Sequence, residues 1–437
     1  MPMRSDFEHY FRDPETNLMF TSLDRDTLRP PDDAFFAQGG LTAEEMVDGV
    51  TPAELYMHEN FGIATGSYMA SEALRYEATG AADALESMHR SLDGMFRVYE
   101  MGRQLSPGFY PKIYGRRFSR ETSTDQVLYS CLGMEAFHPY AGAEDRRKIE
   151  EMIPAMLRFW AERDYRYHYF HYFGDDWQWP LIRFPGLLKL AWKFSGDDFF
   201  DRECRRLLPQ TVIPEHCQLL KSLRNGKPSE YERANHAWLT INGADRIGMD
   251  VMQYDLLLRH DPENPLACYW RAGIRWMWEE VKDSIADDGF YYSMTLYDFD
   301  TLKCRQPAGW SVDGSKNHGA KSAWSTWVAR AGLVAMRHCP ELRDEVLPVA
   351  EKVLEKITFN RCLWYLEPDH FPPEQRFNTR MLSGDAVANY LWTQELLGRF
   401  RRKHPQHAVQ GCPDGVKPFF LRSDSRLQPL NPQKQED

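Results

Sequence analysis

Residues 125–163 read DQVLYSCLGMEAFHPYAGAEDRRKIEEMIPAMLRFWAER. The first part is almost wholly apolar. The joint YAGAED follows, and then a stretch rich in charge, EDRRKIEE, opens a second periodic segment. This reads as a helix, a tight turn and a second helix. Glycine ends the first, an acidic start begins the next, and the short joint makes the two antiparallel neighbours.

The same plan recurs along the chain. GSYMASEALRYEATG pairs with AADALESMHRSLDGMFRVYEM, where Met69, Ala73, Leu74 and Tyr76 mark one apolar face. Leu85, Met88, Leu92, Met95 and Phe96 mark another, at spacings of three and four. PLIRFPGLLKLAWKFSG, GMDVMQYDLLLRHDPEN and SAWSTWVARAGLVAMRHCP each lead into a more charged partner, and SGDAVANYLWTQELLGRF starts a sixth unit before the C-terminus. The apolar helices are expected to start near Ser67, Gln126, Pro180, Gly248, Ser322 and Ser383, about 54 to 74 residues apart. A period of that size means stacked helical hairpins. The apolar members form an inner layer and the charged members an outer, wetted one. YRYHYFHYF (165–173) and GFYYSMTLYDFD (289–300) alternate enough for short rim hairpins.

Bulk properties narrow the function. The chain has 437 residues, 43% of them hydrophobic and 14% aromatic, so a large core forms easily. The 13 Trp and 21 Tyr exceed what a core needs and suit clefts in which sugar rings stack, although many fill the interior of a large helical protein. A formal net charge of −11 argues against nucleic acid and against a basic membrane-surface patch. The start, MPMRSDFEHYFRD, lacks the apolar run of a signal peptide, and no segment approaches 18 uninterrupted apolar residues. The 8 cysteines are scattered without a CxxC pair, which suits reduced thiols and a cytoplasmic location. His168 and His171 have half the spacing of a metal site but lack a third ligand, so neither metal nor cofactor is expected. GxSxG, HExxH and Rossmann fingerprints are missing.

Six hairpins of this kind resemble the (α/α)6 toroid shared by glycoside hydrolases, polysaccharide lyases, sugar epimerases and terpene cyclases. The expected class is therefore all-α. Residues 1–54 form an N-terminal extension packed on the toroid, 55–400 the toroid itself, and 401–437 a C-terminal extension, partly mobile. The resemblance rests on layout, so the loops must decide function.

In such a toroid the loops before the inner helices share one face. Those loops collect carboxylates, histidines, amides, arginines and tryptophans, whereas ATGAAD and HCPEL at the other end are plain. RETSTDQ offers Glu121 and Asp125; Ser123 or Thr124 as a helix cap explains the same pattern. An Asp at an inner-helix N-terminus is similar to the arrangement in unsaturated uronyl hydrolases. FGDDWQWP offers Asp175 and Asp176, with Trp177 and Trp179 as stacking platforms or core residues. Adjacent carboxylates raise each other's proton affinity when desolvated. Arg183 either holds a substrate carboxylate or pairs with Asp176. NHAWLTINGADR adds His236, Asn242 and Arg246, GWSVDGSKNHGA adds Asn317 and His318, and MHENFG adds His58. Arg116 and Arg117 complete the cationic set, and RFNTRMLSGDA contributes Arg380, with Ser383 and Asp385 as a cap and a first-turn acid.

The leading expectation is a glycoside hydrolase acting on short, uronate-containing oligosaccharides. Asp125 and one of Asp175 or Asp176 serve as the carboxylate pair, and arginine binds the uronate bidentately. The alternative is a lyase or sugar epimerase in which His236, His318 or a tyrosine is the base. A helical-repeat binding protein is the third reading. The partner is an oligosaccharide, and a homo-oligomer is compatible with the sequence.

Overall fold

The computed structural model describes residues 2–38, 50–167, 177–212, 243–282, 285, 287–291, 296–298, 303–305, 322–364 and 380–402. Helix α1 (Pro2–Asp6) continues into a wide turn, Phe7–Phe11. α2 (Asp33–Ala37) and α3 (Pro52–His58) precede the first repeat. The six apolar segments then appear as α4 (Phe61–Thr79), α6 (Thr124–Phe137), α8 (Pro185–Ser195), α10 (Gly243–His260), α12 (Ser322–His338) and α14 (Gly384–Arg402). Their charged partners are α5 (Ala82–Gly102), α7 (Ala143–Ala161), α9 (Asp198–Leu207), α11 (Ala267–Val281) and α13 (Arg343–Lys356).

The inner helices are apolar on most sides because they are covered on most sides. In α4 every residue from Phe61 to Leu74 is buried. α4 lies between α6 and α14, α10 lies between α8 and α12, and α12 packs on α14. This closed ring with a charged outer layer is the (α/α)6 toroid expected from the repeat. Residues 2–11 help to close it. The Arg4 guanidinium reaches Glu72 on α4 and lies 2.7 Å from Glu395 on α14, while Arg90 on α5 bonds Glu8 at 2.6 Å.

Three starts differ from expectation: α8 begins at Pro185, five residues after Pro180, and α10 at Gly243, five residues before Gly248. α4 begins at Phe61, six residues before Ser67, and its two early glycines explain why. Gly66 faces the Tyr129 carbonyl, where a Cβ would overlap it, and Gly133 of α6 meets the Gly66 backbone in turn. The two helices touch backbone to backbone, a contact only glycine permits.

At the centre of the ring sits Arg330 of α12, fully buried. It donates to Asn389 of α14, to the Tyr129 hydroxyl of α6 at 2.5 Å and to the Gly248 carbonyl of α10 at 3.2 Å. Its guanidinium lies 4.6 Å from the Trp392 ring and 5.0 Å from Tyr129. Burial lowers its pKa against the pull of Tyr129.

Short hairpins decorate the rim. β4 (Arg166–Tyr167) pairs with β5 (Trp177–Gln178), and β6 (Leu296–Asp298) with β7 (Lys303–Arg305); β4 and β6 fall in the two segments expected to alternate. The sequence reading missed β2 (Ile113–Tyr114) with β3 (Arg117–Phe118), and β1 (Ser22–Asp24) with β8 (Met381–Ser383). The latter joins the N-terminal segment to the start of α14.

The C-terminal ends of the inner helices are not plain. Both Glu135 oxygens accept from Arg259, at 2.5 and 2.7 Å, and His260 lies 2.5 Å from Oε1. Asp255 accepts from Arg259 at 2.8 Å and Arg337 at 2.7 Å, with His338 at 2.7 Å. These groups lie in the last turns of the helices, where cations complement the helix dipole. Reading only the joints overlooks them. Burial pushes the Glu135 carboxyl up, but Arg259 and His260 outweigh it and hold its pKa at about 2. Asp255 is likewise held well below its ordinary value.

Two predictions follow from this packing. Gly66→Ala forces α4 from α6 and is expected to cost about 3 kcal/mol in urea unfolding, whereas exposed Arg401→Ala stays within about 0.5 kcal/mol. Glu135 has a depressed folded pKa. It therefore stabilises the fold above the ordinary value of 4.5, and that stability drains as pH falls toward about 2. Stability measured across this window should fall less steeply in Glu135→Gln than in the parent.

Candidate active-site face

The N-terminal ends of the inner helices gather the polar groups that the repeat places on one side. α6 starts after Ser123 in extended conformation. Ser123 does not cap it: its hydroxyl is buried and has no hydrogen-bond partner among the described residues. Thr124 instead accepts from Arg183 Nη1 at 3.3 Å. Arg183 lies in the turn Leu181–Arg183 that Pro185 follows, one residue before α8. Its Nε is 3.9 Å from Asp250 Oδ1 on α10, and both side chains are buried. The start of α6, the turn before α8 and Asp250 within α10 therefore meet through one guanidinium. Asp125, half-buried beside Thr124, takes the Gln126 N–H on its Oδ1 at 2.9 Å.

A second cluster lies where α4 meets α6. The fully buried Lys112 ammonium pairs with Glu59, and the Gln126 amide donates to the Glu59 carbonyl at 2.5 Å. Glu121 is buried alongside, its backbone stitched to Lys112 and Ser119 at 2.7 and 3.0 Å. At the start of α14 the Ser383 hydroxyl accepts from the Ala386 N–H at 3.2 Å, the capping role expected for it, and Asp385 is buried in the first turn.

Other candidates lie elsewhere. His58 is enclosed, with Nδ1 2.6 Å from the Gly115 carbonyl and Nε2 3.4 Å from Asp13. Burial lowers its pKa against the pull of those two partners. Arg116, half exposed, pairs with Glu15 at 3.0 Å, and Arg117 with Glu54 at 2.7 Å. These three residues fasten the β2–β3 hairpin to the N-terminal segment and α3. Trp179 packs edge-on to Trp160, 5.8 Å between ring centres, and donates its indole N–H to the Tyr167 carbonyl at 3.3 Å. Its indole is 6% exposed, so it forms wall rather than platform. Arg380 pairs with Asp26 at 3.3 Å. Asp175, Asp176, His236, Asn242, Asn317 and His318 lie outside the described residues, as do the side chains of Trp177 and Arg246 and the pair His168 and His171. Among the described residues no cluster of His, Cys, Asp and Glu could hold a metal ion, and no helix is long and apolar enough to cross a membrane.

Asp250 escaped the sequence reading. Its signal was a carboxylate inside the apolar run GMDVMQY, where an unpaired charge would be too costly to bury.

No family model matches the sequence, and no curated protein matches it. Three solved structures resemble the fold. A D-mannose isomerase aligns at a TM-score of 0.54 and 12% identity, covering 91% of this chain and 95% of that one. A glycoside hydrolase of family 105 from C. acetobutylicum ATCC 824 gives 0.49 and 11%, covering 84% and 99%. An unsaturated glucuronyl hydrolase from Bacillus sp. GL1, responsible for the degradation of glycosaminoglycan, gives 0.46 and 12%, covering 85% and 95%. At such identity the first likeness shows the toroid and nothing finer.

The Arg183–Asp250 contact makes a specific prediction. Arg183→Met leaves a carboxylate buried without its neighbouring guanidinium and is expected to cost roughly 3 kcal/mol of stability. The double variant with Asp250→Asn should recover much of that loss in the same urea titration; additive losses would mean that the two do not interact.

Proposed function

We propose that this chain is a carbohydrate-active enzyme, and that it hydrolyses short uronate-containing oligosaccharides at the N-terminal ends of its inner helices. The observation that carries this reading is the meeting of Thr124, Arg183 and Asp250 at one point of that face, with Asp125 next to Thr124 in the first turn of α6. Glycoside hydrolysis needs a proton donor for the leaving oxygen and a second carboxylate to activate water or attack the anomeric carbon. Asp125 is assigned one of these roles. Asp175 or Asp176 is assigned the other, with Asp250 as a further candidate. Arg183 is suited to a uronate carboxylate because its planar fork can take two oxygens at once.

The toroid also supports sugar isomerisation, as the D-mannose isomerase illustrates. For lyase, epimerase or isomerase chemistry the base on this chain would be His236 or His318, with Asn242, Asn317 and Arg246 around the substrate. The reactions separate by what happens to a double bond. A hydrolase acting on unsaturated uronates removes the ultraviolet absorbance of the conjugated double bond, a lyase creates it, and an ordinary glycosidase releases sugar without either change.

The test is incubation with saturated and unsaturated uronate oligosaccharides while absorbance and reducing sugar are followed. Hydrolysis is expected, and Asp125→Asn should lower kcat by at least about a hundredfold with little change in KM. Full activity in Asp125→Asn, or no turnover of any uronate substrate, contradicts the proposal.

A further inference from the structure

The C-terminal ends of the inner helices enclose a second chamber, separate from the face just described. Its volume is about 600 Å³, within the range that holds a sugar-sized molecule. Ala70, Ala73 and Ala136 leave the space, Tyr140 and Phe194 give it aromatic walls, and Trp392 lines it from α14. We propose that this chamber binds a monosaccharide bearing one anionic group, a phosphate or a carboxylate.

Charge decides the class of ligand. Three carboxylates line the chamber, and all three are already engaged. Glu135 has both oxygens on Arg259, and Asp255 is shared by Arg259, Arg337 and His338. Glu77, the third, pairs with Arg399 at 3.4 Å. Lys193 at the rim has no ion-pair partner among the described residues. Arg337 donates to Asp255 through Nη1, and its side chain is 27% exposed. Behind Trp392 lies the Arg330 guanidinium, which has no carboxylate beside it among the described residues and whose buried Nε lacks a hydrogen-bond partner. Four cations, Lys193, Arg259, Arg337 and Arg399, face three carboxylates in the chamber, on a chain whose total charge is −11. The C-terminal dipoles of the inner helices oppose an anion, but each is worth only about half a charge and fades within a turn. The aromatic walls suit the apolar face of a sugar ring, and the anionic group falls to Lys193 and Arg337 of the lining.

The experiment is calorimetric titration of the full chain with glucose 6-phosphate, glucuronate and glucose. One or both anionic sugars should bind, and neutral glucose should bind at least tenfold more weakly. Lys193→Glu, at an exposed site that folding tolerates, should weaken the anion at least tenfold, as should added salt. Asp125→Asn, on the opposite face, should leave this binding unchanged whether or not it abolishes turnover. That control separates failure here from failure of the proposed reaction. Absence of binding by both anions, equal binding of glucose, or binding that survives Lys193→Glu but is lost in Asp125→Asn overturns the assignment.

Discussion

The toroid depends on one guanidinium. Arg330 sits on the ring's inner side with neutral partners, donating to Asn389, the Tyr129 hydroxyl and the Gly248 carbonyl, between the rings of Trp392 and Tyr129. Burying a cation is costly, so each hydrogen bond and ring face here offsets desolvation. Its partners come from α14, α6 and α10, and Asn389 also meets Ser67 of α4 at 3.4 Å. Five of the six inner helices are thereby fixed in rotation by one polar cluster.

Fixed rotation explains why the two ends differ. On one side it aims Thr124, Arg183 and Asp250 at one another; on the other it aims Glu135, Asp255, Arg259 and Arg337. Both ends use guanidinium–carboxylate contacts, but the C-terminal network is closed on itself while Asp125 remains half-buried at the face. Between them, Arg330 and the Gly66–Gly133 contact leave a solid waist.

The repeat was legible because apolar helices and charged partners alternate so regularly. What escaped was set by tertiary contact. α4 starts early because Gly62 and Gly66 serve close packing, which reads locally as helix breaking. Arg330 and Asp250 are charges inside apolar helices whose partners come from elsewhere in the fold, and Asp255 has Arg259 one turn along its own helix while the fold adds Arg337. Arg183 was legible as a cation near the face, and the fold adds Asp250 as a neighbour, while Asp176, one option named for it, lies outside the described residues. His58, Arg116 and Arg117 were grouped by proximity to inner-helix starts, yet their side chains turn toward Asp13, Glu15 and Glu54. A loop's position in sequence fixes its end of the toroid and leaves open the direction of each side chain.

Substrate is proposed to sit on the N-terminal face. The most direct measurement is a crystal structure of the Asp125→Asn protein soaked with a uronate trisaccharide. Ordered sugar against Arg183 and the start of α6 is the predicted result. Sugar bound elsewhere, with none beside Arg183, would contradict it.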